Sequence, residues 1–286
     1  MTALFALATS LLWGLADFGG GVLTRRTPAL TVVVVSQSIA VAVLGVIVAA
    51  TGAWSEASPH LWFAVAAGLV GPVAMLAFYK ALAMGPMGVV SPLGSLGVAV
   101  PVTVGLALGE RPGLPQLAGI LVAVAGVVLA GGPQLRGAPV QRRAVVLTLV
   151  AAIGFGAVMA LIAEASTTLT GLFLALFVQR VTNVAAGGLA LWVSVRRGAP
   201  ALPERGCLPL SGLPALAFVG LADVAANGTY SIAAQHGPVT VAAVLASLYP
   251  VVTALAARGL LSERLRAVQA AGAGLALVGT LLLATG

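Results

Sequence analysis

The amino-acid sequence predicts an all-α membrane protein of ten transmembrane helices, arranged as two inverted five-helix repeats, on three observations. Of its 286 residues, 60% are hydrophobic and only 7% charged, with a mean hydropathy of +1.12, whereas soluble domains carry about 25% charged residues. That is too little charge to clothe a surface facing water. Apolar runs also recur at about the 20-residue length that a bilayer asks of a helix. Finally, the two halves of the chain resemble each other.

In order, the runs fall near 3–23, 29–52, 61–84, 87–109, 115–132, 144–164, 169–195, 211–235, 238–261 and 267–285. The first lacks a basic leading region, and its apolar stretch reaches Arg25-Arg26 without a convincing cleavage site, so it reads as a membrane helix rather than a signal peptide. Gly19, Gly20 and Gly21 form no phosphate loop, because no strand precedes them and no Lys-Ser/Thr follows. They are expected to loosen the end of that helix. Pro92 and Pro101 interrupt the fourth run, a break that neighbouring helices can satisfy; merger of the fourth and fifth runs stays open.

The longest hydrophilic connections, 131–143 and 196–209, leave no room for an extramembrane domain. The expected organisation is a first repeat at 1–132, a basic linker at 133–143 and a second repeat at 144–286.

The repeats are read from FYKALAMGPMGVVSPLGSLGVAVPV, beginning at Phe78, and YSIAAQHGPVTVAAVLASLYPVV, beginning at Tyr230. At one constant offset Gly85-Pro86 aligns with Gly237-Pro238, Gly68 with Gly220, and Ser95 with Ser247. One residue of adjustment then aligns Glu110 with Glu263, Arg111 with Arg264, Gln116 with Gln269 and Gly126 with Gly279. The earlier helices match more loosely, with Gln37 against Gln179 as anchor. Five helices per half put the two copies in opposite orientations.

The net charge of +7 does not point to nucleic acid, since the basic residues form no patch interleaved with aromatics. Their positions set orientation instead. With the N-terminus outside, twelve Arg and Lys residues fall on the cytoplasmic side against Arg111 alone on the other. Both termini are therefore expected outside, in a multi-pass protein of the bacterial cytoplasmic membrane. Cys207 is the lone cysteine and implies neither disulfide nor metal; no cofactor is expected.

The tight turns Ala81 to Pro86 and Ala233 to Pro238, each followed by a helix ending in Gly109-Glu110-Arg111 or Ser262-Glu263-Arg264, resemble the EamA-type ten-helix carriers of the drug/metabolite transporter superfamily. The resemblance covers nearly the whole chain and implies transport, without naming the solute. Two departures stand out: Ser262 replaces the second glycine, and Asp17 lies where many relatives are neutral.

Ionisable groups inside apolar helices cost about 2.5 to 3.5 kcal/mol on insertion scales and so face a partner or a cavity. Three stand out: Asp17, Arg180 and Asp223. Arg180 is expected to pair with one aspartate; Asp223 is favoured, with Asp17 the freer group and either carboxylate a candidate proton carrier. Asn227 and Tyr230 share a helical stripe with Asp223, which suits the lining of a solute site. Further candidates for solute binding are Trp13, Gln37, Tyr79, Ser95, Gln179, Asn183, Ser247 and Tyr249. Hydrogen bonding between helices is the competing role for the neutral ones. Glu110 and Glu263, beside Arg at helix ends, read as structural anchors.

The leading functional reading is a secondary-active carrier of a small metabolite, an amino acid or similar small polar solute, working by alternating access without a nucleotide motif. The competing classes are a membrane-embedded enzyme, for which the sequence offers no recognisable nucleophile or metal pattern, and a non-transporting scaffold, which has no use for buried charge. The expected partners are that small solute and the lipid bilayer. The sequence leaves export, proton coupling and a homodimer open.

Overall fold

The computed structural model describes residues 2–100, 113–130, 141–165, 168–202, 212–236, 245–246, 248–265 and 267–284. Each of the ten predicted runs holds helix: α1 Thr2–Thr24, α2 Ala29–Thr51, α3 Leu61–Met84, α4 Met87–Gly94, α5 Leu114–Ala130, α6 Arg142–Ala165, α7 Leu169–Arg196, α8 Leu213–Gln235, α9 Tyr249–Leu260 and α10 Ala267–Ala284. No strand occurs among the described residues. Six helices, α1, α2, α3, α6, α7 and α8, are long and apolar enough to cross a membrane. Large side chains such as Val46, Leu69, Ile153, Leu189 and Leu255 point outward from the bundle, as a lipid-facing surface requires. This is a multi-pass membrane protein.

Local chemistry explains the boundaries. Gly52 ends α2 in the left-handed conformation at φ 67°, which glycine adopts without a Cβ clash. Pro86 precedes α4, where its missing N–H costs nothing. The fourth run departs from expectation: α4 stops at Gly94 and continues as a 3-10 turn over Ser95–Val98. Pro92 withdraws a donor from the α-helical ladder, and Gly94 and Gly97 after it are weak helix formers. Residues 101–109 of that run, the 131–140 stretch of the linker, Cys207, Glu110 and Arg111 lie outside the described residues.

The glycine triplet of α1 does not loosen its end. The helix runs on to Thr24, and a Cβ on Gly20 would stand 2.5 Å from the Tyr79 ring while one on Gly21 would stand 2.8 Å from Leu82 Cβ. These glycines let α3 approach closely, so packing outweighs their low helix propensity.

The most extensive contacts between helices survive exchange of the first five with the last five. α1 packs on α8 as α6 packs on α3; α2 packs on α8 as α7 packs on α3; and like meets like in the pairs α2–α7, α4–α9 and α5–α10. Individual glycines repeat the pattern. Gly14 abuts the Tyr249 carbonyl and Val252, while Gly156 abuts the Gly97 carbonyl and Val100. These positions correspond at the spacings that relate Gln37 to Gln179 and Gly68 to Gly220. Gly68 in turn rests on the α7 backbone at Gln179, and Gly220 on the α2 backbone at Ser36.

Helix ends gather accordingly. Thr31 at the start of α2 donates to the Ala201 carbonyl beyond α7, at 2.5 Å. At the far ends of α2 and α6, Thr168 donates to Glu56 Oε2 at 3.1 Å.

Candidate functional site

The site grows from Arg180, a buried cation midway along α7. Its guanidinium meets two partners. Nη2 lies 2.7 Å from Asp223 Oδ2 on α8, and Nη1 donates to Gln37 Oε1 on α2 at 2.8 Å. The contact with Oδ2 is close but not aligned as a hydrogen bond, so that oxygen keeps its capacity to accept one. Asn227, one turn along α8, donates to the Asp223 carbonyl at 2.7 Å and to Oδ1 at 3.3 Å. The question of Arg180's partner therefore resolves on Asp223.

Asp17 is different. It has no hydrogen bond or ion pair among the described residues, and it lines the same cavity as Asp223. Tyr79 and Tyr249 line that cavity with it.

These groups line one cavity of about 290 Å³ between the two halves. Eleven of the residues singled out in the sequence converge on it: Trp13, Asp17, Tyr79, Ser95, Gln179, Arg180, Asn183, Asp223, Asn227, Tyr230 and Tyr249. All three tyrosines of the chain are among them, so the scarce aromatics are concentrated here. Gln37 is not at the wall; it is fully buried behind Arg180, which it orients. Ser95 lines the cavity, yet its hydroxyl donates to the Pro92 carbonyl at 2.8 Å and contacts Thr280 Oγ1 at 3.1 Å, a tie between α4 and α10. Ser247 lies outside the described residues. Gln179 Oε1 and Asn183 Oδ1 are buried acceptors without a hydrogen-bond partner.

Sequence reasoning missed a second part of the wall, formed by Gly71, Met75, Phe78, Gly97, Phe155 and Met159. The repeat spacing was the signal that finds it. Under that spacing Phe155 corresponds to Trp13, Met159 to Asp17, Gly71 to Asp223, Met75 to Asn227, Phe78 to Tyr230 and Gly97 to Tyr249. Even the ring contacts repeat: Trp13 and Tyr230 have centroids 6.0 Å apart, Phe155 and Phe78 5.4 Å. The cavity thus has a polar lobe and, at the equivalent positions of the other repeat, an apolar lobe. Such a space can hold and orient a small molecule.

Glu263 lies apart from the cavity. Its carboxylate accepts from the Met87 N–H at 2.8 and 3.0 Å, capping α4 of the other half, a favourable place for negative charge. Burial raises its pKa, and the Met87 and Gly88 amides and Arg25 only partly offset that. Ser262, where the motif's glycine is missing, holds φ 54°, a conformation that glycine would adopt more cheaply.

No curated protein matches the chain. A solved crystal structure described simply as that of a protein superposes with a TM-score of 0.62, covering 99% of this chain and 97% of the other at 19% identity. That likeness shows a shared fold. The family model described as the EamA-like transporter family matches residues 1–132 and 142–285, and the chain, an all-helical membrane protein built around one mixed cavity, belongs to that family of transporters.

Proposed function

We propose that the protein is a secondary-active carrier that binds a small, charged or polar organic solute in the cavity around Arg180, Asp223 and Asp17 and moves it by alternating access. The observation that carries this reading is the cavity itself: it is walled by both halves, and it holds an unpaired carboxylate beside a buried ion pair. Keeping such groups at membrane depth is costly unless they meet a partner or a cavity, and Asp17 has only the cavity.

The reading includes ten spans in two inverted five-helix repeats, divided at 1–132 and 144–286 around a basic linker, with both termini outside a bacterial cytoplasmic membrane. The exchange symmetry of the helix contacts supports it, because rocking one repeat-derived bundle against the other exposes a central site to alternate sides. Asp17 is the candidate proton carrier, since Asp223 is held by Arg180. Amino acids and similar small polar metabolites are the starting solute class, and export is the direction to be measured.

The experiment is solute flux into proteoliposomes under an imposed proton gradient. Flux should be present in the wild type, lose its response to the gradient in Asp17→Asn, and fall at least tenfold in Asp223→Asn. Flux that ignores both substitutions in correctly folded protein would sink the proposal.

A further inference from the structure

The two lobes of the cavity carry more information than the charges alone. In the polar lobe sit Asp17, Tyr230 and Tyr249; at the corresponding positions of the other repeat sit Met159, Phe78 and Gly97. A solute filling the cavity therefore meets ionisable and hydrogen-bonding groups at one set of positions and hydrocarbon at the set equivalent to it. With a volume of about 290 Å³, the space sits at the small end of ligand pockets, which run from about 300 to 1,000 Å³.

The sign of the charged end follows from an inventory. Among the described residues lining the cavity, the charged groups are two carboxylates and one guanidinium, and the guanidinium is already engaged by Asp223 and Gln37. One formal negative charge is left over, on Asp17. Among the described lining residues, the buried polar side-chain atoms without a hydrogen-bond partner are three acceptors, Gln179 Oε1, Asn183 Oδ1 and Asp223 Oδ2, and one donor, Arg180 Nε. A carboxylate entering here would find one spare donor, Arg180 Nε, on a guanidinium whose charge Asp223 already balances, and would face Asp17. An ammonium group would find an ion-pair partner, acceptors for its N–H bonds and the rings of Trp13, Tyr230 and Tyr249, whose faces attract cations.

We infer that the solute is an amphipathic organic monocation, an alkyl- or arylalkyl-ammonium without a carboxylate, bound with its nitrogen at Asp17 and its hydrocarbon against Met75, Phe78, Phe155 and Met159. The inference rests on the reading of this cavity as the solute site and sets aside the amino acids of the starting class in favour of amines that lack a carboxylate. The pairing of Arg180 with Asp223 then has a clear role: it cancels one negative charge, so that the site balances a single positive charge rather than two.

The test is a matched series of ligands titrated against the detergent-purified full chain, read as the rise in melting temperature, since a ligand of the native state stabilises it. The probes are propylamine, pentylamine, pentanol, and norleucine, which is pentylamine with a carboxylate added. Pentylamine should bind most tightly. Propylamine should be weaker by about fourfold for each methylene lost, the value of a fully buried CH₂. Pentanol and norleucine should each be at least tenfold weaker than pentylamine.

Asp17→Asn should weaken pentylamine at least tenfold while Asp17→Glu retains it, and Met159→Thr should flatten the chain-length dependence. Norleucine binding as tightly as pentylamine, or undiminished pentylamine binding to Asp17→Asn, would overturn the inference. If Asp17→Asn does not purify as a single species, the comparison of pentylamine with pentanol and norleucine on the wild type decides it. Flux separates the two proposals: pentylamine that binds without crossing leaves the inference standing and ends the carrier reading, whereas norleucine flux without amine binding does the reverse.

Discussion

Arg180 and Asp223 show what one residue can demand of its surroundings. Removing one member of a buried pair strands the other, at about 3 to 5 kcal/mol, whereas removing both is far milder. Asp223→Asn should therefore lower the melting temperature sharply, Arg180→Met with Asp223→Asn should recover much of the loss, and a double-mutant cycle should report a coupling above about 1 kcal/mol. Additive effects would contradict the pairing. Glu263 makes a different demand. Its pKa is raised by burial, so the stability it contributes relative to a neutral isostere is present at low pH and lost as pH rises through that raised value. The wild type should gain on Glu263→Gln as the solution is acidified from pH 7, followed by parallel melting curves, and a constant difference between the two would refute that sign. Glu263→Ala, which removes the cap itself, should cost about 0.5 to 2 kcal/mol at every pH.

At the scale of elements, small residues decide how closely helices approach. A Cβ on Gly14 would stand 2.5 Å from Val252 Cβ and 2.7 Å from the Tyr249 carbonyl, and Gly156 has the equivalent neighbours in Gly97 and Val100. Gly14→Val and Gly156→Val should each destabilise the protein by about 1 to 3 kcal/mol through overpacking, measurable as a lowered melting temperature. Gly274, with open space around it, serves as the control and should tolerate Ala with little change. These elements also mark what was legible in advance. The bounds of α3, α7 and α10 follow from apolar length alone, because a bilayer imposes one length on every span. The end of α4 at Gly94 and the packing of Gly20 on Tyr79 were not legible, because they depend on which neighbour supplies the missing contacts. Charges of the site were readable for the opposite reason: Asp17, Arg180 and Asp223 are conspicuous against hydrocarbon. Met75, Phe78, Phe155 and Met159 were hidden, since in an apolar helix a cavity-facing methionine or phenylalanine looks like one facing lipid.

For the whole molecule, the arrangement of helix ends makes a topological prediction. With Cys207 replaced by Ser, a cysteine at exposed Ser55, just beyond α2, should react with an impermeant maleimide on intact cells, and one at exposed Arg197, just beyond α7, should react only after permeabilisation. The reverse pattern would invert the proposed orientation. The exchange symmetry of the fold has a further consequence for how such a site could have arisen. A homodimer of a single five-helix unit would have to show every charge twice, so each aspartate would face its own copy and the interior would have no preferred end. Joining two units in one chain removes that constraint: Asp17 can oppose Met159, and Tyr230 can oppose Phe78. The unlike halves give the cavity a head and a tail, and a molecule entering it acquires a direction before any motion begins.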